Sequence, residues 1–245
     1  MNHELLWIVT GGLAGGFING LSGFGLAMAA IPLWLLALSP ANAASLAAIC
    51  AVAAHLQSVS LIVHAIDGRR LAPFIVGGLI GIPVGTWLLA GIDAASFRFW
   101  VGTLMVVYCV VMLSGRVTLK IPENATADGV VGFLGGILGA LAGLSGALPA
   151  IWSSLRDWGK DARRAVLQPF NMAILAVSIV AHAVAGLFTV DLFRAAAFAL
   201  PATLIGAYAG KQLYRRLGDY HFDRVVLGFL LAAGVLVVGS NLIAR

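Results

Sequence analysis

Two short glycine-rich stretches interrupt apolar runs about half a chain apart. A glycine turn between two helices ends one helix and begins the next, which leaves unpaired backbone N–H groups at the new N-terminus. Those groups, with the partial positive charge of a helix N-terminus, favour an anion. We therefore predict a backbone site for a small anion, with tight helix packing as the alternative role of these glycines. The first glycine turn is Ser22, Gly23, Phe24 and Gly25, and the second glycine turn is Gly143, Leu144, Ser145 and Gly146.

Polar side chains recur on one face of the third apolar segment in each half. The turn angle of about 100° per helical residue places them in two stripes. Polar residues inside a membrane span usually face an internal cavity or another helix. We predict that Gln57, Gln168 and Asn171 donate side-chain hydrogen bonds to the anion, with helix–helix hydrogen bonding as the alternative. The stripes are Asn42, Gln57, Ser60 and His64 in the first half, and Gln168, Asn171, Ser178 and His182 in the second.

Three histidines are candidates for carrying a coupling proton, because the imidazole pKa lies close to neutral pH. His55 lies near mid-membrane but faces away from its polar stripe, which favours a hydrogen-bonded packing role. His64 and His182 lie near the ends of their segments, which favours interfacial anchoring. Proton coupling is the alternative interpretation for each of them.

Charged residues of both signs are concentrated in the joint between residues 156 and 164. Such a mixture is typical of a solvated cytoplasmic loop, and that is our prediction for this joint. A gate or an anion funnel is the alternative.

The sequence lacks the motifs of several enzyme and pump classes. It contains no HExxH, GxSxG or Walker sequence and no run of carboxylates, so we predict no enzyme activity, no catalytic residues, no metal site and no cofactor. Asp67, Asp93, Asp191 and Asp219 all lie at segment ends, which argues against an intramembrane aspartyl protease. Without a P-loop, the chain cannot itself drive transport with ATP.

Composition places these residues in an all-α, polytopic membrane protein. Of the 245 residues, 61% are hydrophobic and 10% are charged, whereas about a quarter are charged in soluble domains. A helical span needs roughly 20 apolar residues. The basic residues lie in short joints, so the net charge of +5 does not indicate nucleic-acid binding. The first segment lacks a basic n-region and is interpreted as a retained helix. The apolar segments are 4–21, 24–38, 42–65, 71–91, 97–114, 129–144, 146–155, 164–187, 192–213 and 223–243.

The chain divides into two similar halves. When residues 12–27 are aligned with 132–147, glycines and other small residues coincide, and further along the fourth segments of the two halves share a glycine pair. We interpret this as two repeats of five segments each. The divisions are 1–115 for the first repeat, 116–128 for a cytoplasmic linker and 129–245 for the second repeat.

The basic residues orient these halves. With the joint after the third segment in the cytoplasm, every Lys and Arg except Arg98, Arg194 and Arg245 falls in a cytoplasmic joint, as the positive-inside rule expects. Both termini are then outside, and the halves have inverted topology, as in many secondary transporters. The seventh segment spans only about 15 Å. Segments one and two of each half therefore either cross fully, giving ten spans, or form re-entrant hairpins near the midplane, giving six spans and two hairpins.

The residues of the two glycine-rich stretches also carry a family resemblance. The runs "GGFINGLSGFGLAMAAIPL" and "GGILGALAGLSGALPAIW", with Pro40-Ala41-Asn42-Ala43-Ala44-Ser45-Leu46 after the first, resemble the repeat signature of the sulfite exporter TauE/SafE family. The resemblance covers nearly the whole chain. It implies an inner-membrane permease for sulfur oxyanions or small organosulfonates, often working as an exporter.

Together these observations predict a secondary transporter that moves a small sulfur-containing anion across the cytoplasmic membrane by alternating access. Its expected partners are the anion, the lipid bilayer and a coupling proton, and the oligomeric state is open between a monomer and a homodimer. Two alternatives from other classes are a membrane-embedded enzyme or assembly subunit without transport, and a permease for another small solute.

Overall fold

The computed structural model describes residues 2–61, 63–113, 121–156 and 158–216. In this part of the chain the regular structure is helical, without strands. The tenth predicted segment, 223–243, lies outside the described residues. The α-helices are α1 (Asn2–Ser22), α2 (Leu26–Trp34), α3 (Pro40–Ser58), α4 (Gly68–Gly91), α5 (Ala94–Leu113), α6 (Ala125–Ala142), α7 (Ala147–Ser154), α8 (Lys160–Val184) and α9 (Val190–Arg216).

Five of these helices, α1, α4, α6, α8 and α9, are long and apolar enough to cross a membrane. Their outward faces carry large apolar side chains, as in Ile80, Trp87 and Val180, which are exposed by 63%, 73% and 61%. In a bilayer these apolar faces contact lipid tails and are not exposed to water. The prediction of an all-α, multi-pass membrane protein is confirmed.

Helices α1 and α2 form a hairpin around the first glycine turn. Gly23 and Gly25 have φ angles of +77° and +83°, a left-handed conformation that glycine adopts without strain. The indole Nε1 of Trp34, at the end of α2, donates to the carbonyl of Ile8 at 3.0 Å. Helix α2 therefore runs back along α1 toward its start.

Helices α6 and α7 form a second hairpin around the second glycine turn. Gly143, with φ +66°, ends α6, and its N–H donates to the carbonyl of Gly139. The indole of Trp152 in α7 donates to Asp128 in the first turn of α6 at 2.7 Å. Helices α2 and α7 have 9 and 8 residues, about 14 and 12 Å, well short of the roughly 30 Å hydrocarbon core. Neither α2 nor α7 can therefore cross the hydrocarbon core by itself.

Glycines bring helix backbones into direct contact at two long helix pairs. A Cβ at Gly16 or Gly20 of α1 would overlap the backbone of Thr203 or Ala207 in α9. In the same way, a Cβ at Gly136 of α6 would overlap the backbone of Gly78 in α4. Residue numbers rise together along each pair, so α1 runs parallel to α9 and α4 runs parallel to α6. This packing through small residues is typical of membrane helices.

The helices fall into two groups that point in opposite directions. In α3 and α8, Ser45 contacts His182 while Ser58 contacts Gln168, so these two helices are antiparallel. Further contacts place α3 parallel to α9 and α8 parallel to α4. Helices α1, α3 and α9 thus point one way, and α4, α6 and α8 point the other way.

The predicted loop at residues 156–164 needs correction. Arg156 and Arg164 are buried, at 6% and 1% exposure, and α8 already begins at Lys160. The prediction of a solvated loop is wrong at these two residues, because each guanidinium has partners from other helices. Helix α6 begins at Ala125, within the range 116–128 that the sequence analysis assigns to a linker.

The close contact between α1 and α9 leads to a prediction about stability. We expect Gly16→Ala to lower the free energy of unfolding by at least about 1–3 kcal/mol, because the new methyl group meets backbone that has no rotamer to change. Gly91→Ala is the control, since a Cβ there meets nothing within 4 Å and alanine favours helix. Thermal unfolding in detergent measures both. Equal melting temperatures would contradict the close packing of α1 against α9.

Candidate functional site

The two glycine turns meet at one small cavity. Phe24 and Gly25 of the first turn line it, together with all four residues of the second turn. Helix side chains complete its wall, among them Asn19, His55 and Asn171. Its volume is about 10 Å³, about the space that one water molecule needs. The site is therefore closed to anything larger in this conformation.

The turns touch so closely that glycine is required at Gly146. A Cβ built there would lie 2.7 Å from Nδ2 of Asn171 and 2.9 Å from Cβ of Phe24. Gly146 has an ordinary φ of −83°, so the requirement is one of space and not of backbone conformation. The second turn packs against α2 as well, since a Cβ at Gly143 would lie 3.1 Å from Cβ of Ala27.

Two helix N-termini face this cavity without a side-chain cap. Gly25 precedes α2 and Gly146 precedes α7, and neither position makes a capping hydrogen bond through a side chain. Leu26 and Ala147, the first residues of the two helices, both line the cavity. The first N–H groups of α2 have no acceptor within the helix. In α7 the N–H of Ala147 donates to the carbonyl of Leu144 at 3.2 Å, and Pro149 has no N–H. Helix α2 therefore supplies most of the backbone donors, while both helix ends bring partial positive charge to the same space.

Asn171 joins the two glycine turns. Its Oδ1 accepts a hydrogen bond from Oγ of Ser145 at 2.6 Å, and its Nδ2 donates to the carbonyl of Gly23 at 3.4 Å. Asn171 is 2% exposed and lines the cavity. It is the one member of the predicted trio Gln57, Gln168 and Asn171 that the structure places at the cavity.

Gln168 lies behind the first turn, where it pairs with Arg164. Its Oε1 accepts a hydrogen bond from Nε of Arg164 at 3.0 Å, and its Nε2 donates to Oγ of Ser58 at 3.0 Å. Arg164 also donates to the carbonyls of Leu21 at 2.7 Å and Gly20 at 3.0 Å. A cation at the end of a helix is stabilised by the negative end of its dipole. Arg164 and Gln168 thus hold the end of α1 and exclude water from that side.

Gln57 lies away from the cavity. It is half-buried, and its carbonyl accepts a hydrogen bond from Nζ of Lys211 at 3.1 Å. Ser22 and Gly23 do not line the cavity either. The Ser22 hydroxyl is occupied within the first turn, where it donates to the carbonyls of Ile18 and Phe24.

The three candidate histidines have different surroundings. His64 is exposed, as interfacial anchoring requires. His182 is fully buried between Oγ of Ser45, 3.0 Å from its Nδ1, and the carbonyl of Ala140, 2.8 Å from its Nε2, so interfacial anchoring is wrong for it. His55 is also buried, lines the cavity, and has an Nδ1 without a partner among the described residues. The interpretation of His55 as a packing residue stays a prediction, and its Nδ1 makes no hydrogen bond to the described residues.

The family model described as Sulfite exporter TauE/SafE matches residues 8–237 of the chain. The protein belongs to the sulfite exporter TauE/SafE family. The resemblance of the glycine-rich stretches is thereby confirmed, and the TauE/SafE protein is a membrane transporter of the class that handles sulfur-containing anions. Comparisons with curated proteins and with solved structures give no significant match.

Sequence reasoning missed two features of this TauE/SafE site. Asn19 lines the cavity from α1 and is 1% exposed. It is a polar residue within an apolar run, four positions before Gly23, and the cost of burying a polar group in a span was the signal available. Arg164 gave no comparable signal, because a basic residue in a joint is expected by the positive-inside rule.

Proposed function

We propose that the protein is a secondary transporter, working as an exporter, for a small sulfur-containing anion such as sulfite or an organosulfonate. The observation that carries this proposal is the meeting of two helix N-termini without side-chain caps at one small cavity, at Gly25 and Gly146. Backbone donors bind an oxyanion without placing a full positive charge in the membrane, and they leave the protein neutral there when the anion departs.

We further propose that the halves are inverted repeats related by a pseudo-twofold axis. Equivalent glycines make equivalent contacts, which supports the proposal. A Cβ at Gly206 of α9 would meet the carbonyl of Leu13 in α1, and a Cβ at Gly81 of α4 would meet the carbonyl of Phe133 in α6. Under the alignment of the halves, Leu13 corresponds to Phe133 and Gly206 to Gly81. Equivalent helices of the two halves point in opposite directions, namely α1 and α6, α3 and α8, and α4 and α9, which supports inversion.

Alternating access follows from this arrangement as a proposed mechanism. Each glycine turn belongs to one half, and the cavity lies between the turns. Rocking of one half against the other would open the cavity to either side in turn. Arg164 and Gln168 tie the end of α1 to α8, so opening on their side requires their hydrogen bonds to break.

The charges support an orientation in the cytoplasmic membrane with both termini outside. Arg69 and Arg70 lie at the start of α4, Arg163 at the start of α8, and Lys211 and Arg215 at the end of α9. The helix directions bring these three ends to one side of the bundle, which we assign to the cytoplasm by the positive-inside rule. The start of α1 is then on the opposite side.

His55 is our candidate for the coupling proton, because it lines the cavity and the other two candidates do not. Arg164 is linked to His55 through Gln168. The Nε2 of Gln168 donates to the carbonyl of His55 at 3.2 Å, and its Oε1 accepts from Arg164. Protonation of His55 would balance the charge of a bound anion. Because the positive charge of Arg164 repels a protonated imidazole, His55 would take up its proton when the anion is bound.

A pair of substitutions at Met28 tests the anion site. Met28 is buried and lines the cavity beside the start of α2. We expect Met28→Glu to reduce flux of radiolabelled sulfite into proteoliposomes at least tenfold relative to Met28→Gln, because the two side chains have the same shape and only one carries a carboxylate. Circular dichroism and melting temperature check that both variants are folded. Equal flux through both would contradict anion binding in the cavity, and wild-type flux no greater than in protein-free vesicles would contradict transport of sulfite.

A further inference from the structure

Asn19 offers the cavity a hydrogen-bond acceptor that nothing in the described part of the chain satisfies. Its side chain is 1% exposed and lines the cavity. Its Nδ2 donates to the carbonyl of Ala51 at 3.5 Å, which turns Oδ1 away from that carbonyl. Oδ1 has no hydrogen-bond partner among the described residues. A buried carbonyl oxygen without a partner costs about 1–3 kcal/mol, so a hydrogen-bond donor that enters the cavity would be stabilised by pairing with it.

The wall of the cavity therefore combines two kinds of hydrogen-bonding group. The N-terminus of α2, at Leu26, presents N–H donors, and the N-terminus of α7 adds partial positive charge. The side chain of Asn19 presents an acceptor, and His55, four residues after Ala51 on α3, adds a second unpartnered polar atom, Nδ1. Donors alone would suit any oxyanion. An acceptor in the same closed space suits only an anion that also has a hydrogen to donate.

We propose that this site selects a compact anion that carries its own hydrogen-bond donor, such as hydrogensulfite or an amino- or hydroxyl-bearing sulfonate, and that Oδ1 of Asn19 accepts from that donor. The proposal rests on the proposed function, since it concerns the substrate of the same cavity. It distinguishes hydrogensulfite from the fully deprotonated sulfite dianion, which has only acceptors. Asn19 is then a specificity-determining residue.

The size of the cavity explains why the acceptor can be tolerated between transport events. Its volume of about 10 Å³ is about what one water molecule needs, and a water there would donate to Oδ1 of Asn19. An anion without a donor would displace that water and leave the oxygen unpaired. Sites built to pair with a substrate OH or NH reject analogues that lack it by large factors for this reason.

Two anions of nearly equal size test the proposal. Sulfamate and methanesulfonate differ in an amino group in place of a methyl group on the same sulfonate. In proteoliposomes containing the wild-type protein, we expect sulfamate to compete with radiolabelled sulfite at about tenfold lower concentration than methanesulfonate. In Asn19→Leu, which keeps the side-chain shape and removes the acceptor, the two competitors should become equal within about twofold.

The control is Thr86→Val. Thr86 lies on α4, away from the cavity lining, and its buried Oγ1 also lacks a partner among the described residues. Its replacement removes an unpaired polar atom elsewhere and should leave the tenfold preference unchanged.

The outcomes separate the two proposals. Equal competition by both anions in the wild type, sulfite flux that neither anion inhibits, or a preference that survives in Asn19→Leu would each overturn the role of Asn19 while leaving transport intact. Equal weakening of both competitors in Asn19→Leu would also overturn it, because Asn19 would then be donating to the sulfonate. Absence of sulfite flux in the wild type would instead overturn the proposed function. If Asn19→Leu does not fold, the comparison of the two anions on the wild-type protein still tests selection of an anion with a donor, and equal competition there overturns the proposal.

Discussion

Gly146→Ala is expected to reduce sulfite flux at least tenfold while the protein stays folded. The added Cβ would lie 2.7 Å from Nδ2 of Asn171 and 2.9 Å from Cβ of Phe24, both closer than van der Waals contact allows. Neither neighbour moves freely, because Asn171 is held by Ser145 and Gly23 and the Phe24 atom lies next to its backbone. The second glycine turn must therefore move away from the first, and the two helix N-termini no longer converge on the anion. Initial rates of radiolabelled sulfite uptake into proteoliposomes measure the loss.

Gly159→Ala is the matched control for this substitution. Gly159 precedes α8 as Gly146 precedes α7, it has a φ of −61°, and a Cβ there meets nothing within 4 Å. Each variant places alanine directly before a helix, and only at residue 146 does the added methyl group meet the opposite glycine turn. Flux through Gly146→Ala that matches flux through Gly159→Ala would show that the contact between the turns is not needed for transport.

The sequence was sufficient to predict the features that depend on local chain chemistry. Glycine at residues 23, 25 and 143 has the left-handed φ that ends a helix, and the type and spacing of these residues predicted where α1 and α6 would end. Hydropathy predicted the long apolar helices in the same way, because each span must satisfy its own backbone in lipid. These predictions needed no knowledge of which helix lies beside which.

The features that sequence reasoning missed depend on contacts between distant helices. His55 faces away from the polar stripe of α3, yet α3 presents it to the cavity because the first glycine turn lies on that side. Arg164 is followed in α8 by an ordinary amphipathic pattern, and its partners are carbonyls at the end of α1. Helical periodicity gives the direction of a side chain around its own axis. It does not give the neighbour on that side, so it could not assign Gln57 and Gln168 to different surroundings.

Buried charge is the second property that only the assembled helices reveal. Asp128 and Arg156 form an ion pair whose side chains are 5% and 2% exposed. The indole of Trp152 donates to the same carboxylate, and the guanidinium lies over the rings of Trp152 and Trp158 at 5.5 and 5.1 Å. The pair joins the start of α6 to the chain just after α7, at the base of the second hairpin. The sequence alone predicts that both residues are solvated charges in cytoplasmic joints.

Breaking this pair from one side is expected to be strongly destabilising. Asp128→Asn removes the negative charge and leaves the guanidinium of Arg156 buried without a counter-ion, and Arg156→Met does the same to the carboxylate. We expect each single substitution to lower the free energy of unfolding by about 3–5 kcal/mol, read from thermal unfolding in detergent. The control is Glu123→Gln, which breaks an ion pair with Arg70 whose side chains are 53% and 38% exposed, and it should cost less than about 1 kcal/mol.

The double variant Asp128→Leu with Arg156→Met separates the cost of a stranded charge from the value of the pair. Removing both charges leaves apolar side chains of similar size, and such replacements are often neutral or even stabilising. We therefore expect the double variant to recover most of the stability that either single variant loses. A double variant no more stable than the single variants would mean that the pair holds the base of the α6–α7 hairpin through its own geometry, and the destabilisation could then no longer be assigned to an uncompensated charge.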